Sequence, residues 1–259
     1  MKKLHFIFDK TKKAQILKRK MDKKYKNFSP LKATNIIIAG GDGFMLKNLK
    51  KYYKYKKPFY GINCGTYGFL MNKLNISNFE KKLNKSKKTT INTLSINCLY
   101  KKNLKRKLIA INEISIFRQS KQTASLNISV GKKKLIKKLV GDGVLVSTPA
   151  GSTAYNMSAQ GPILSLNSGK LAITPINPFR PRRWKGKIIS NKAVIKIKNL
   201  NPKKRPIAAV ADNIELRNIK SLKINSEKKI KIVLLFDKDR SLFKKIKSEL
   251  SRQKKSKLF

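Results

Sequence analysis

The chain has 259 residues, of which 63 are Lys or Arg and 12 are Asp or Glu, a formal net charge of 63 − 12 = +51. Apolar residues make up 40% and aromatics 8%, enough for a real core, so a disordered polycation is excluded and one large domain or two modest ones are expected. No apolar run nears the roughly 20 residues of a membrane-spanning helix, the start reaches Asp9 too early for a signal-peptide core, and two cysteines, Cys64 and Cys98, make neither a disulfide framework nor a zinc site. A soluble, cytoplasmic protein without a membrane partner is expected.

In chain order, Leu4 to Phe8 reads as a short apolar strand and Lys12 to about Tyr25 as a basic helix. Asn35-Ile36-Ile37-Ile38-Ala39 is a β-branched run that fits a strand buried on both faces. It leads into Gly40-Gly41-Asp42-Gly43 and a helix through Met45, Leu46 and Leu49; Pro58 to Ile62 is another strand, followed by glycines at 61, 65 and 68. Strand, glycine turn, helix and strand is the rhythm of an open, mostly parallel sheet.

Near residue 88 the rhythm changes. Short, often alternating apolar runs follow: Ile91 to Ile96, Leu108 to Phe117, Ala124 to Val130, Leu135 to Val140, Ala193 to Ile197, Ile207 to Val210 and Ile230 to Phe236. They predict a mostly antiparallel β domain, interrupted by a helix from about Ser152 to Ala159. A last helix over Asp239 to Gln253 places Leu242, Phe243, Ile246 and Leu250 on one face. The expected division is an α/β nucleotide-binding domain over 1–88, rejoined by about 240–259, and a β-rich domain over 89–239.

The charge suggests anionic ligands, but it is spread from end to end and rests on 53 Lys against 10 Arg. Nucleic-acid readers rely on Arg forks and exposed aromatics, and Lys, Ile and Asn together are the residues of AT-rich codons. A solvated lysine surface with no specific nucleic-acid partner is therefore expected, with a non-enzymatic nucleic-acid-binding protein as the alternative. The scarce acids say more: Asp42, Glu113, Asp142 and Asp212 fall among glycines or apolar residues.

Glycines at the end of a buried strand, Gly41 and Gly43 among them, let backbone approach a ligand and cradle phosphate. Asp42 between them suits a general base or an acceptor from a ribose hydroxyl; equally, it could cap the next helix. Gly61 to Leu70 forms a second close-approach loop at the same sheet edge, or an ordinary turn with Phe69 and Leu70 in the core. Asn112-Glu113 interrupts an apolar strand, where a carboxylate needs either water at an edge or a partner. From Gly141-Asp142-Gly143 the chain runs to Ser147-Thr148-Pro149-Ala150-Gly151-Ser152-Thr153-Ala154-Tyr155-Asn156. Hydroxyls and helix N–H groups gathered there read as an anion and ribose site, with Tyr155 as a stacking face and Asn156 as an adenine-reading amide, or else as a capped helix.

These blocks, in this order, resemble bacterial NAD kinases, as do Leu171 to Phe179 and Ala211-Asp212. The resemblance spans Gly40 to Asp212. It implies phosphorylation of the adenosine ribose 2′-hydroxyl of NAD by ATP, or by polyphosphate, with a divalent metal such as magnesium. It also implies an α/β domain, a β-rich domain, a C-terminal tail returning to the first, and a homo-oligomer, dimer or tetramer. Asp42 is then the base, Asn112 and Glu113 hold the adenosine part, and Phe69 packs near the adenine. Asp142, Thr153, Ala154, Tyr155 and Ser158 line the dinucleotide site, with Asp212 close by. Two positions depart from the family pattern: Phe44 where many members carry Thr or Ser, and Asn213 where some carry Gly or His. Gly-Gly-Asp-Gly alone is shared with lipid kinases, which makes a diacylglycerol-type kinase the alternative enzyme; the 147–156 block argues against it. A metal bridging phosphates uses mainly their oxygens and water, so no ligand cluster is expected, and the sole histidine, His5, is not expected to be the base.

Overall fold

The computed structural model describes residues 2–66, 68–73, 76–100 and 105–238. The chain divides into two compact units, Met1–Ile91 with Lys231–Phe259, and Asn92–Ile230. The helix expected over Asp239 to Gln253 lies outside the described residues.

In the first unit, β1 (Leu4–Phe8) pairs in parallel with β2 (Asn35–Gly40), and β2 pairs in parallel with β3 (Phe59–Asn63). A two-residue strand, β4 (Asn72–Lys73), pairs in parallel alongside the end of β3, Ile62 opposite Asn72. Every residue of β2 is buried, as a parallel strand covered on both faces requires. Ile37 and Ala39 meet Ala14, Leu17 and Met21 of helix α1 (Lys12–Asp22), whose i, i+3, i+7 spacing puts them on one stripe. Helix α2 (Asp42–Tyr52) contacts β2 and β3 and buries Met45 and Leu49, while α3 (Phe79–Lys85) adds Phe79 and Leu83 to the core. The first helix ends at Asp22 rather than near Tyr25.

A polar brace ties the end of the 64–71 loop to the last described segment of this unit. Asn72, fully buried, donates from Nδ2 to the Leu235 carbonyl at 2.8 Å and accepts at Oδ1 from the Asp237 amide at 2.9 Å. Its carboxamide thus stands in for a stretch of paired backbone. Asp237 in turn accepts from the Tyr60 hydroxyl at 2.7 Å and faces Lys82 Nζ at 3.5 Å.

The second unit is built on long antiparallel strands: β5 (Lys87–Tyr100), β6 (Lys105–Ala110), β7 (Glu113–Arg118), β8 (Ala124–Val130) and β9 (Lys133–Ser147). After a short helix, α4 (Tyr155–Ser158), come β10 (Lys170–Arg180), β11 (Lys187–Ser190), β12 (Ile195–Asn199), β13 (Ile207–Ala211), β14 (Ile214–Leu216) and β15 (Ile219–Phe236). β9 is central, flanked by β7, β8 and β10. Alternation is clean in β12, where Ile195 and Ile197 enter the core and Lys196 and Lys198 face outward. The end of β15 belongs to the first unit, where Leu234 pairs in parallel with Phe59.

Two expectations are corrected here. The run Leu108 to Phe117 is two strands, because the chain bends at Ile111-Asn112 to bring three successive amides onto one carboxylate, described below. The helix expected over Ser152 to Ala159 is a 3-10 turn at Gly151–Thr153 followed by the four-residue α4, broken where Ala154 adopts φ −100° and ψ −127°.

Gly143 has no room for a side chain, since a Cβ there would run into the Ile116 carbonyl of β7. Gly143→Ala should lower the unfolding free energy by about 3 kcal/mol, read from denaturant midpoints. Burial pushes the Cys98 thiol up to about 12 and raises that of Cys64 as well. Neither should react with a thiol reagent at pH 8 in the folded protein, while both should do so after denaturation.

Candidate functional site

In the first unit, β2 and β3 end side by side, Gly40 opposite Asn63, with the Cys64 amide donating to the Gly40 carbonyl at 2.8 Å. Both glycine loops therefore leave from one sheet edge, as expected. α2 begins at Asp42 with Gly41 as its N-cap, and no side chain caps it. The carboxylate reaches instead across 27 and 28 residues: Oδ2 accepts from the Phe69 amide at 2.7 Å and Oδ1 from the Leu70 amide at 3.1 Å. Asp42 is thus oriented by the second loop rather than capping its own helix. Gly41 and Gly43 have open space where a Cβ would stand, so crowding within the protein is not what demands glycine there. Phe44 fills the space beside Gly40, where a Cβ would meet its ring at 2.7 Å. Leu70 is core, but Phe69 is only partly buried.

In the second unit, Asp212 sits in the β13–β14 turn at φ +53°, a region that Asp tolerates better than most residues. Its carboxylate accepts from the amides of Ile111 at 2.9 Å, Asn112 at 2.8 Å and Glu113 at 3.4 Å. That convergence makes the bend between β6 and β7. Glu113 then lies at the start of β7, which runs between β9 and β13, and it is 9% exposed; it is not an edge-strand surface residue. The Asn112 carbonyl accepts from the Thr148 amide at 2.9 Å, and Gly151 packs so closely on Asn112 that a Cβ would overlap its carbonyl.

The amides of Gly151, Ser152 and Ala154 are taken by Thr148 Oγ1, the Pro149 carbonyl and the Gly151 carbonyl. The expected cradle of free helix N–H groups is therefore absent at these positions, because the turn closes on itself. Ser152 Oγ is also internal, donating to Pro149 O and accepting from the Leu164 amide. Asn156 is fully buried, its Nδ2 on the Pro162 carbonyl at 2.9 Å and its Oδ1 accepting from Thr174 Oγ1 at 2.6 Å. It braces the turn and offers no amide to an adenine. By contrast, among the described residues Asn112 Oδ1 and Thr153 Oγ1 are buried with no hydrogen-bond partner, a costly state that a ligand would relieve.

Tyr155 is 37% exposed and its ring stacks on Phe117, centroids 5.9 Å apart. Burial raises its hydroxyl pKa, helped by the charges of Asp142 and Glu113, which brings those three groups into one neighbourhood. Asp142 accepts from Asn177 Nδ2 at 2.9 Å and Arg118 Nε at 2.5 Å; the Asn177 bond foremost, with Arg118 adding to it against the opposing effect of burial, holds the carboxyl below its ordinary value. A cleft of about 710 Å³ opens between Tyr155, Ser158, Asn177 and the Arg183-Trp184-Lys185 loop. Asn112, Glu113, Asp142, Thr153, Ala154, Tyr155, Ser158 and Asp212 are thus gathered in one part of this unit, as Gly41, Asp42, Gly43 and Phe69 are in the other. Sequence reasoning missed Phe117, Arg118, Asn177 and Arg183. The pairing of strands reveals the first three and the lining of the cleft the fourth, and only Asn177, between Pro175 and Pro178, carried a local signal.

The family model described as the ATP-NAD kinase C-terminal domain matches residues 111–235. An NAD kinase of Zymomonas mobilis is 43% identical over 96% of this chain and 98% of its own length. The chain belongs to the NAD kinase family. A Rickettsia bellii NAD kinase is 42% identical over the same shares of the two chains, 96% and 98%. The fold is shared with a yeast NADH kinase solved with NADH (TM-score 0.80, 18% identity, 97% of this chain and 88% of that one). It is shared also with an Archaeoglobus fulgidus NAD kinase solved with ATP (TM-score 0.74, 22% identity, 95% and 99%). No described helix is long and apolar enough to cross a membrane.

The depressed Asp142 carboxyl fixes a pH dependence. A lowered folded pKa gives a contribution that is complete above the unfolded value, about 3.9, and is lost as pH falls through the folded one. The stability difference between the wild type and Asp142→Asn should stay constant from pH 8 to pH 5 and shrink only below about pH 4, measured by denaturant titrations across that range.

Proposed function

We propose that the chain transfers the terminal phosphoryl group of ATP to the 2′-hydroxyl of the adenosine ribose of NAD, giving NADP and ADP. Membership of the NAD kinase family supports the reaction, and one observation carries the chemistry: the Asp42 carboxylate at the strand edge, fixed by the Phe69 and Leu70 amides. Phosphoryl transfer needs positioning and charge neutralisation more than covalent help from the protein. Asp42 accepts the proton of the ribose hydroxyl as its oxygen bonds to phosphorus, and the bridging oxygen leaves with ADP. Two rigid backbone donors hold the carboxylate at a set angle, which a base acting on one hydroxyl requires.

The dinucleotide is assigned to Asn112, Glu113, Asp142, Thr153, Ala154, Tyr155 and Ser158. The unpaired buried oxygens of Asn112 and Thr153 support this, since a ribose or an adenine amine would satisfy them. Asp212 serves the site through the bend it holds, and Phe69 through its amide on Asp42 as well as by packing near the adenine. A divalent cation, magnesium foremost, belongs to the same proposal. Among the described residues no three His, Cys, Asp or Glu side chains gather around one point. The ion would ride on phosphate oxygens and water, neutralising charge on the transferring group. A cytoplasmic setting and a homo-oligomer complete the reading. The relatives favour neither a lipid kinase nor a nucleic-acid-binding protein.

NADP formation from NAD, ATP and magnesium tests the reaction, with polyphosphate in place of ATP deciding the donor. Asp42→Asn should cut kcat by at least about 100-fold with the far-UV spectrum unchanged. Near-normal turnover would remove Asp42 from the role of base.

A further inference from the structure

Arginine is the informative cation in this protein. Only 10 of its 63 basic residues are Arg, so lysine is the default wherever a positive charge alone suffices. Three of the ten fall at 180, 182 and 183. The described arginines of the second unit have assignable structural work, with one exception. Arg106 lies close enough to the Tyr100 hydroxyl to influence its ionisation, and Arg118 bonds to Asp142, Arg205 to Thr123 and Arg217 to Glu215. Arg180 and Arg182 lie over the Phe179 ring at 4.4 and 5.9 Å. Arg183 has no hydrogen bond, ion pair or ring contact among the described residues. It sits at φ +61°, a strained conformation for a residue with a side chain, and it lines the cleft of about 710 Å³ beside Tyr155 and Ser158.

That cleft offers one guanidinium, one ammonium (Lys185), the Trp184 indole and no carboxylate among its lining residues. A planar fork of donors beside aromatic faces matches a phosphate carried by a nucleotide, which a lysine would meet only as a point charge. We propose that Arg183 is a specificity-determining residue that takes the diphosphate bridge of the dinucleotide substrate. This rests on the NAD kinase reading, in which Tyr155 and Ser158 are dinucleotide contacts. The other source of the same chemistry is the triphosphate of the donor.

Steady-state rates of NADP formation, with NAD and ATP varied separately, distinguish the two. Arg183→Ala should raise KM for NAD about tenfold and reduce the salt dependence of that KM, with kcat and KM for ATP within about twofold of wild type. Arg183→Lys should recover only part of the loss, because charge without the fork is insufficient. A folded Arg183→Ala with unchanged KM for NAD overturns the proposal, and a raised KM for ATP instead assigns the residue to the donor and overturns it equally. Failure of the wild-type protein to form NADP would overturn the reaction on which the proposal rests, a separate result.

Discussion

One carboxylate, that of Asp212, receives the amides of three consecutive residues, Ile111, Asn112 and Glu113, and most of the candidate site in the second unit depends on it. Regular β structure points successive amides in opposite directions, so three can converge only if the strand stops. The stop ends β6, begins β7 and leaves the Ile111 and Asn112 carbonyls unpaired by strand neighbours. Thr148 takes both, its hydroxyl on Ile111 O at 2.7 Å and its amide on Asn112 O at 2.9 Å. With Thr148 fixed, the following turn must pass directly over Asn112, which only Gly151 allows. Asn112 Oδ1 and, two residues after Gly151, Thr153 Oγ1 are the oxygens left buried without a partner by this turn.

Asp42 shows the same device on a smaller scale. In a protein of net charge +51, both carboxylates receive neutral backbone amides from a distant segment of the chain. A lysine ammonium is a mobile, strongly hydrated charge on a flexible stem, whereas an amide in a folded loop is a dipole whose direction is already set. The contrast is visible in the surface pairs Lys107–Glu227 and Arg217–Glu215, whose Lys and Arg side chains are 61% and 70% exposed; pairs of this kind contribute little. The abundant charge decorates the molecule, and scarce backbone geometry arranges its chemistry.

Much of this was legible in the sequence where a local rule governs. The all-buried β2, the glycine loop after it and the amphipathic stripe of α1 follow from residue type and period. Asp42 and Asp212 stood out because acids are rare and these lie against glycine or apolar residues. What could not be read depends on long-range pairing. Nothing local to Asp212 indicates amides a hundred residues earlier, and nothing in Ser-Thr-Ala-Tyr-Asn reveals that Asn156 turns inward to Thr174 and Pro162. Asp237 was legible in principle, an acid closing the apolar run Ile230 to Phe236, yet its meaning lies in Tyr60, Asn72 and Lys82.

The strand that closes the first unit has a consequence for the order in which the molecule can be made. Phe59, Tyr60 and Asn72 emerge early from the ribosome, but their partners Leu234, Asp237 and Leu235 follow only after the whole of the second unit. At about 5–20 residues per second the parallel sheet waits roughly 7–30 s with one edge unpaired and the Asn72 carboxamide unsatisfied. The ladders joining β7, β8, β9, β10, β12 and β13 all lie within Asn92–Ile230 and can form during that interval. The N-terminal unit therefore reaches its native state last, and the loop that fixes Asp42 is anchored only when the end of β15 arrives.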